Sequence, residues 1–343
     1  MTLRISIALW AVLGVLLLLP LPSLGAETGE RPIGVVDLHV DLSYQTNYRG
    51  QDFSRGTGQY PAAALRRAGV LGVVLPLYVP HDVSPTGPRA EDLERSYGRV
   101  FSELVSVPPY RVPGCVGPPD RVQTWLAFEG SAPLGERPDD AARWVARGVR
   151  LFGLVHAYDN RLATSSGMRR TPRRIEQGLT AEGRALIERV HALGAMIDVS
   201  HASDRTVREV VEMARAAGAP VVASHSNARA VYSHARNLTD EQALGIASTG
   251  GVLGVNFHSG YLTAASRASI DDVVHHVRHF VRLVGATHVA IGSDYEGGIR
   301  PPPGLEDVSG YQRLASALLQ AGMTREQVER IFAKNALRLL CGR

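Results

Sequence analysis

The sequence has very little lysine and cysteine, and both shortages restrict its chemistry. Among its 37 Lys and Arg residues, only Lys334 is a lysine. Enzymes that form a Schiff base with a substrate or with pyridoxal phosphate need a lysine at the active site, and Lys334 lies in the last predicted helix. A P-loop is excluded because no GxxxxGKS/T run occurs. Cys115 and Cys341 are too few for a disulfide framework or a thiolate metal site, so a bound metal would have nitrogen and oxygen ligands.

A strong charge of either sign is also missing. The 37 Lys and Arg residues exceed the 33 Asp and Glu residues by only four over 343 residues. No aromatic residues are interleaved with basic ones, so we expect no nucleic-acid partner. Hydrophobic residues make up 45% of the chain and charged residues 20%. That composition is enough for a sizeable core and excludes wholesale disorder.

Long hydrophobic runs are confined to the N-terminus. Arg4 precedes an apolar stretch at 5–19, and prolines and small residues follow up to Ala26. This is the order of a secretory signal peptide, and the stretch is shorter than the roughly 20 residues that a bilayer span requires. We predict a signal peptide at 1–26 and export to the periplasm or the exterior, with no membrane span after its removal. An uncleaved anchor is the alternative.

The rest of the chain alternates between strand and helix patterns. Helical spacing of apolar residues predicts helices over 182–193, 205–217 and 271–284, and Thr-x-x-Gln capping patterns begin at Thr239 and Thr324. Eight such units favour a closed (β/α)8 TIM-type barrel, formed by 27–343 as a single domain, over an open doubly wound sheet. The eight predicted strands are 35–41, 70–77, 122–128, 149–155, 195–200, 221–224, 252–255 and 289–293.

Ionisable side chains recur where the predicted strands end. In a (β/α)8 barrel the carboxyl ends of the strands form the active-site face. Alternation along the first strand places Asp37, His39 and Asp41 on one face, so that His39 and Asp41 can share one ion. The full set of these residues at strand ends is His39, Asp41, Glu129, His156, His201, His225 and Asp294.

Such a ring suits two divalent cations joined by one carboxylate. Imidazole and carboxylate ligands without thiolate favour Zn²⁺, with Mn²⁺ or Co²⁺ as alternatives. Two ions roughly 3.5–4 Å apart can hold a bridging hydroxide and polarise a carbonyl. Some binuclear barrel hydrolases use a carboxylated lysine as the bridge. The predicted strands contain no lysine, so we predict Glu129 for this role.

Six sequence motifs follow one another along the chain. They are DLHVDL at 37–42, Glu-Gly at 129–130, IDVSHASDRT at 197–206, SHSNARAVYSHARN at 224–237, GGVLGVNF at 250–257 and HVAIGSDYEGG at 288–298. In this order they resemble the motifs of the membrane (renal) dipeptidase family of metallopeptidases. The similarity extends from about 35 to 340, and it implies a metallo-dependent hydrolase barrel that cleaves dipeptides with two zinc ions per chain.

The resemblance implies which residues hold the metals. His39 and Asp41 resemble the ligands of one zinc ion. His201 and His225 resemble the ligands of the other. Glu129 resembles the carboxylate that joins the two.

It also implies the residues that act on the substrate. His156 resembles the histidine that contacts the substrate and the developing oxyanion. Arg236 resembles the arginine that holds the terminal carboxylate, and Tyr261 occupies a position that can contact the substrate. Asp294 resembles the acidic residue that manages protons.

The sequence therefore predicts an exported binuclear zinc dipeptidase that hydrolyses the peptide bond of small dipeptides. One alternative is a binuclear hydrolase of another small amide, lactam or ester. The other is a non-catalytic extracytoplasmic binding protein on the same barrel. Whether the chain forms a homodimer stays open at this point.

Overall fold

The fold is a closed barrel of eight parallel strands, as predicted. The structure is a computed structural model that describes residues 32–81, 88–115, 121–167 and 177–342, so the predicted signal peptide lies outside the described residues. Each strand pairs with its sequence neighbours, and Asp37 pairs with Ile291 to close the barrel. The strands are β1 (Val35–Asp37), β2 (Val70–Tyr78), β3 (Gln123–Glu129), β4 (Val149–Gly153), β5 (Met196–Asp198), β6 (Val221–Ala223), β7 (Val252–Val255) and β8 (Val289–Ile291).

Helices follow the strands around the outside of the barrel. The three helices predicted from apolar spacing match α4, α5 and α8 to within one residue, and capping boxes at Thr239 and Thr324 begin α6 and α10. Within the described ranges, no helix has the length and apolar character to cross a membrane. The helices are α1 (Leu42–Tyr48), α2 (Ala90–Ser106), α3 (Ala141–Ala146), α4 (Ala181–Ala192), α5 (Asp204–Ala217), α6 (Asp240–Ser248), α7 (Ser259–Leu262), α8 (Ile270–Val284), α9 (Gly310–Gln320), α10 (Arg325–Glu329) and α11 (Asn335–Cys341).

The first strand ends earlier than predicted, and this changes the orientation of Asp37. The strand stops at Asp37, so the strict alternation expected up to residue 41 does not hold. The buried Asp37 carboxylate accepts hydrogen bonds from the Tyr311 hydroxyl of α9 (2.5 Å) and from the backbone N–H groups of His39 and Ser293 (3.0 Å each). The expectation that Asp37 shares a face with His39 and Asp41 is therefore wrong. Asp37 instead ties β1 to β8 and to the helical layer.

The interior of the barrel is filled by apolar side chains below the carboxyl ends of the strands. Leu38, Trp125 and Met196 belong to one buried cluster that also includes Leu340 of α11. Asn335 of the same helix donates to the carbonyls of Ala286 and Val289, where β8 begins (2.7 and 2.8 Å). The C-terminal helix thus packs at the amino end of the strands, opposite the end where the ionisable residues were predicted.

The two cysteines form a disulfide bond that the count of two did not suggest. Cys115, which precedes β3, is joined to Cys341 at the end of α11, with their Cα atoms 5.7 Å apart. The Trp125 indole donates a hydrogen bond to the Cys115 sulfur at 3.3 Å. This single bridge fastens the C-terminal helix to the barrel.

Removing this bridge should destabilise the fold without touching the active-site face. The bridged residues are 226 positions apart, so the bond strongly restricts the unfolded chain. We expect Cys115→Ser/Cys341→Ser to lower the free energy of unfolding by about 2–5 kcal/mol. Denaturant titrations of the oxidised and the reduced wild type, with the double serine variant as reference, measure the effect. Identical midpoints for all three samples would contradict it.

Candidate active site

The predicted metal ligands converge on one oxygen of Glu129. Its Oε1 atom lies 3.1 Å from Nε2 of His201, 3.4 Å from Nε2 of His39 and 3.6 Å from Nε2 of His225. Asp41 joins the group through its Oδ2 atom, 3.5 Å from the same nitrogen of His39. All five residues are buried, with at most 8% of the surface of each exposed. The structure therefore brings together the five residues predicted as ligands.

The imidazole rings are packed closely around this carboxylate. The Nε2 atoms of His201 and His225 are 2.9 Å apart, and the ring centres of His39 and His225 are 3.8 Å apart. The Ser224 hydroxyl lies 2.8 Å from Nδ1 of His225 and helps to orient that ring. His201 follows β5 with a positive φ of 68°. Such left-handed geometry is unusual outside glycine and tends to occur at functional sites.

The protonation of the cluster suits cation binding. Burial lowers the pKa of His201 and of His225 well below the ordinary value, which favours the neutral imidazoles that metals require. Burial alone would raise the pKa of the Glu129 carboxyl, but His156 and His39 outweigh it and hold the pKa well below its usual range. Burial lowers the pKa of His39, but the charges of Asp41 and Glu129 outweigh burial and raise that pKa well above its ordinary value. The Glu129 carboxylate is therefore an anion that faces neutral rings at His201 and His225 and a protonated ring at His39.

These residues fit a bound metal better than they fit one another. The buried Nε2 of His39 has no hydrogen-bond partner, and the Nε2 atoms of His201 and His225 face each other directly. Two of the groups with ligand atoms close enough for a metal share Glu129, namely His39–Asp41–Glu129 and Glu129–His156–His201. The donor set is nitrogen and oxygen only. Such a donor set suits a divalent metal ion.

Asp294 lies beside the cluster and is oriented by its neighbours. It follows β8 with a φ of 66°, and the amide of Asn256, which directly follows β7, donates to its Oδ2 atom at 2.9 Å. Burial, together with the charge of Asp41, raises the pKa of Asp294 well above its usual range. Gly297 is required here because a Cβ atom would lie 2.6 Å from Asp41 Oδ2 and 2.7 Å from Asp294 Oδ1.

His156 completes the inner part of the site. Its Nε2 atom is 3.8 Å from Glu129 Oε1, and its ring lies 4.3 Å from the ring of His201 and 4.6 Å from that of Tyr78. Burial lowers the pKa of His156. The ring is packed between aromatic neighbours and is partly open to the cavity.

Arg236 and Tyr261 form the outer part. The Arg236 guanidinium is 5.6 Å from the centre of the Tyr261 ring, and one of its nitrogens donates to the carbonyl of His225 at 3.4 Å. Arg236 is only 4% exposed, yet its Nε atom has no hydrogen-bond partner. A buried donor without a partner costs free energy, so this guanidinium is set to bind an anion.

These residues line a cavity of about 260 Å³ that is open to solvent. Among the predicted site residues, Asp41, Glu129, His156, His201, Arg236, Tyr261 and Asp294 border it, and His39 and His225 lie beneath. A larger cavity of about 930 Å³ beside α2 includes none of them. The candidate functional cavity is therefore identified by the residues that line it and not by its size.

Sequence reasoning missed several residues of this site. Asn256 and Tyr78 both stand at a strand end, which is the signal that identified the other site residues, but neither is ionisable near neutral pH. Tyr44 and Arg49 also border the cavity. They lie at or just past helix α1, and no sequence pattern singles them out.

The fold and the site together define a metal-dependent hydrolase barrel, and comparison with known proteins identifies its family. Residues 30–341 match the family model of the membrane dipeptidases, peptidase family M19. The chain belongs to this family of metallopeptidases, as predicted. An uncharacterized dipeptidase of Schizosaccharomyces pombe is 36% identical over 200 residues, which are 57% of this chain and 47% of the relative. The alignment with a second S. pombe relative covers 53% of that relative. The chain therefore spans about half the length of these curated relatives.

Three further similarities cover more of the related protein. An uncharacterized Klebsiella pneumoniae protein, from the 5′ region of pqqA, is 36% identical over 227 residues, which are 64% of this chain and 82% of that protein. A metallopeptidase of Rhodobacter sphaeroides, solved with a phosphinate mimic of the dipeptide L-Ala-D-Ala, superimposes with a TM-score of 0.78 at 25% identity. The alignment covers 90% of this chain and 99% of that structure. A dipeptidase of family M19 gives a TM-score of 0.79 at 26% identity, covering 90% and 98%.

Proposed function

We propose that this protein is an exported binuclear zinc dipeptidase. The observation that carries the proposal is the convergence of four histidine Nε2 atoms on Glu129 Oε1, at distances from 3.1 to 3.8 Å. In the proposed centre, His39 and Asp41 would hold one zinc ion, His201 and His225 would hold the other, and Glu129 would be a ligand of both. Zinc bound there would supply a Lewis acid for the substrate carbonyl and would lower the pKa of the attacking water.

The substrate is positioned by groups outside the metal cluster. Arg236 binds the C-terminal carboxylate of the dipeptide, which satisfies its unpartnered Nε donor, and Tyr261 supports the guanidinium face. This contact places the peptide bond above the histidine cluster. His156 then faces the carbonyl oxygen and stabilises the negative charge that develops on it.

Asp294 manages the proton in the proposed reaction. The water oxygen forms a bond to the carbonyl carbon while Asp294 accepts the proton that the water loses. The C–N bond then breaks, and Asp294 returns the proton to the leaving amine. The products are two free amino acids, and the carboxylate ends the cycle in its starting state. The Asn256 amide keeps Oδ2 oriented throughout.

A substrate panel with and without chelator tests this function. The panel contains L,L-dipeptides, L-Ala-D-Ala, amidated dipeptides, small lactams and simple esters. Zinc-loaded protein should cleave unblocked dipeptides and lose this activity when the metal is removed. Cleavage of lactams or esters alone would instead support the alternative hydrolase, and bound zinc with no turnover on any compound would support a binding protein.

Arg236→Ala should chiefly affect substrates with a free C-terminal carboxylate. The loss of a charge-assisted hydrogen bond from a buried guanidinium should raise KM for unblocked dipeptides about 10- to 100-fold. The same substitution should change hydrolysis of the matching amides much less. Arg208→Ala, which replaces an exposed arginine of α5, serves as the matched control. Equal losses on free and amidated substrates would argue against the assigned role.

Export rests on two independent features in this proposal. The N-terminal residues have the order of a signal peptide, and the remaining 27–343 would be one barrel domain. The Cys115–Cys341 bond supports the same conclusion, because structural disulfides persist mainly outside the cytosol. N-terminal sequencing of the protein recovered from an expression host distinguishes cleavage near Ala26 from a retained anchor.

A further inference from the structure

A second arginine borders the cavity, and the proposed reaction does not use it. Arg49 immediately follows α1 and is exposed. Its guanidinium lies 5.5 Å from the centre of the Tyr44 ring, while its backbone N–H donates to the carbonyl of Gln45. Cation–π contact of this kind favours one position of a long side chain over free motion in solvent. Arg49 is thus held at the rim of the cavity.

Arg49 and Arg236 belong to two well-separated connections around this rim. Tyr44 and Arg49 belong to the connection between β1 and β2, and Tyr44 contacts Tyr78 at the end of β2, with ring centres 5.8 Å apart. Arg236 belongs to the connection between β6 and β7. In a closed barrel of eight strands in sequential order, three strands separate these two connections on one side and five on the other. Both arginines border the same cavity as His156 and His201 of the histidine cluster.

The charges around the cavity are distributed unevenly. Among the described residues that border it, the only carboxylates are those of Asp41, Glu129 and Asp294, which lie together at its base. The charged side chains bordering it above that base are the two arginines. The position of Arg49 therefore suits an anionic group of the substrate and repels a cationic one.

We infer that Arg49, supported by Tyr44, selects dipeptides whose first residue carries an acidic side chain. This inference rests on the proposed function. With the C-terminal carboxylate on Arg236 and the peptide bond over the histidine cluster, the first residue extends toward the β1–β2 side. A glutamate or aspartate side chain there meets the Arg49 guanidinium, whereas a lysine or arginine side chain meets a like charge.

The test compares substrates that differ only in charge. Glu-Gly and Gln-Gly are nearly isosteric, and wild-type enzyme should show a kcat/KM ratio in favour of Glu-Gly of about two- to fivefold, as expected for an exposed ion pair. Arg49→Gln should reduce this ratio to about one. Arg67→Gln, which replaces an exposed arginine just before β2 at the other end of the barrel, should keep it. The wild-type preference should also weaken with added salt.

The position of the charge provides a second comparison. Gly-Glu and Gly-Gln differ in the same way, by a carboxylate against an amide, but on the second residue. Arg49→Gln should leave the ratio of their kcat/KM values as it is in the wild type. The inference is overturned if wild-type enzyme cleaves dipeptides without preferring Glu-Gly over Gln-Gly, or if the preference survives in Arg49→Gln. The proposed dipeptidase function stands in both cases. Failure of zinc-loaded enzyme to cleave any dipeptide would remove that function, and this inference with it.

Discussion

Glu129→Ala should leave the protein with at most one zinc ion per chain and lower dipeptide hydrolysis by at least about a thousandfold. The substitution removes the single oxygen that lies within 3.1–3.8 Å of four histidine nitrogens. Without the shared carboxylate, the two ions would repel each other across a cluster whose other ligands are mostly neutral imidazoles. Zinc content and catalytic turnover should therefore fall together in this variant.

Metal analysis after zinc loading and desalting measures this effect directly. Glu188→Ala, at an exposed glutamate of α4, is the matched control and should retain two ions and full activity. Glu129→Gln keeps the shape of the side chain but removes its charge, so it should also bind less zinc than the wild type. If Glu129→Ala still holds two ions per chain after desalting, Glu129 does not bridge them.

Asp294→Asn should lower kcat by about 10²- to 10⁴-fold, the range expected when a general acid–base group is lost. The amide has the same shape as the carboxylate and can still contact Asn256, so the site should stay assembled. It cannot accept the proton of the attacking water or return one to the leaving amine. KM and zinc content should change little, because neither depends on proton transfer.

Two measurements separate this role from the alternatives. Asp271→Asn, at an exposed position of α8, controls for the loss of a negative charge and should leave kcat unchanged. Asp294 also lies close enough to His39 and His225 to act as a ligand. Zinc loss in Asp294→Asn would therefore assign Asp294 to the metal centre, and an unchanged kcat would exclude it from proton transfer.

The barrel could be predicted from the sequence because its signals are local. Each β-rich run and each amphipathic helix is encoded within about ten to fifteen residues, and α4, α5 and α8 were located to within one residue. The strand ends were less predictable. β1 stops at Asp37, and the carboxylate of this residue accepts a hydrogen bond from the hydroxyl of Tyr311, far along the chain. A contact between residues so far apart in sequence leaves no local pattern.

The residues of the candidate site could also be predicted from the sequence. The contacts that hold these residues in place could not. His39, Glu129 and His225 stand at strand ends, which a barrel necessarily brings to one face. Asn256 has the same placement, yet its role becomes visible only when its amide is seen on Asp294. The Cys115–Cys341 bond joins positions 226 residues apart, a pairing that spacing alone cannot indicate.

From its residues alone, this chain could be recognised as an alternating barrel with a lysine-free ring of nitrogen and oxygen ligands, since residue type and strand-end placement are properties of short segments. Which atoms actually meet depended on the closure of the barrel, because closure brings together residues from eight separate strands. The shared oxygen of Glu129, the unpartnered Nε of Arg236 and the position of Arg49 beside the cavity all follow from that closure.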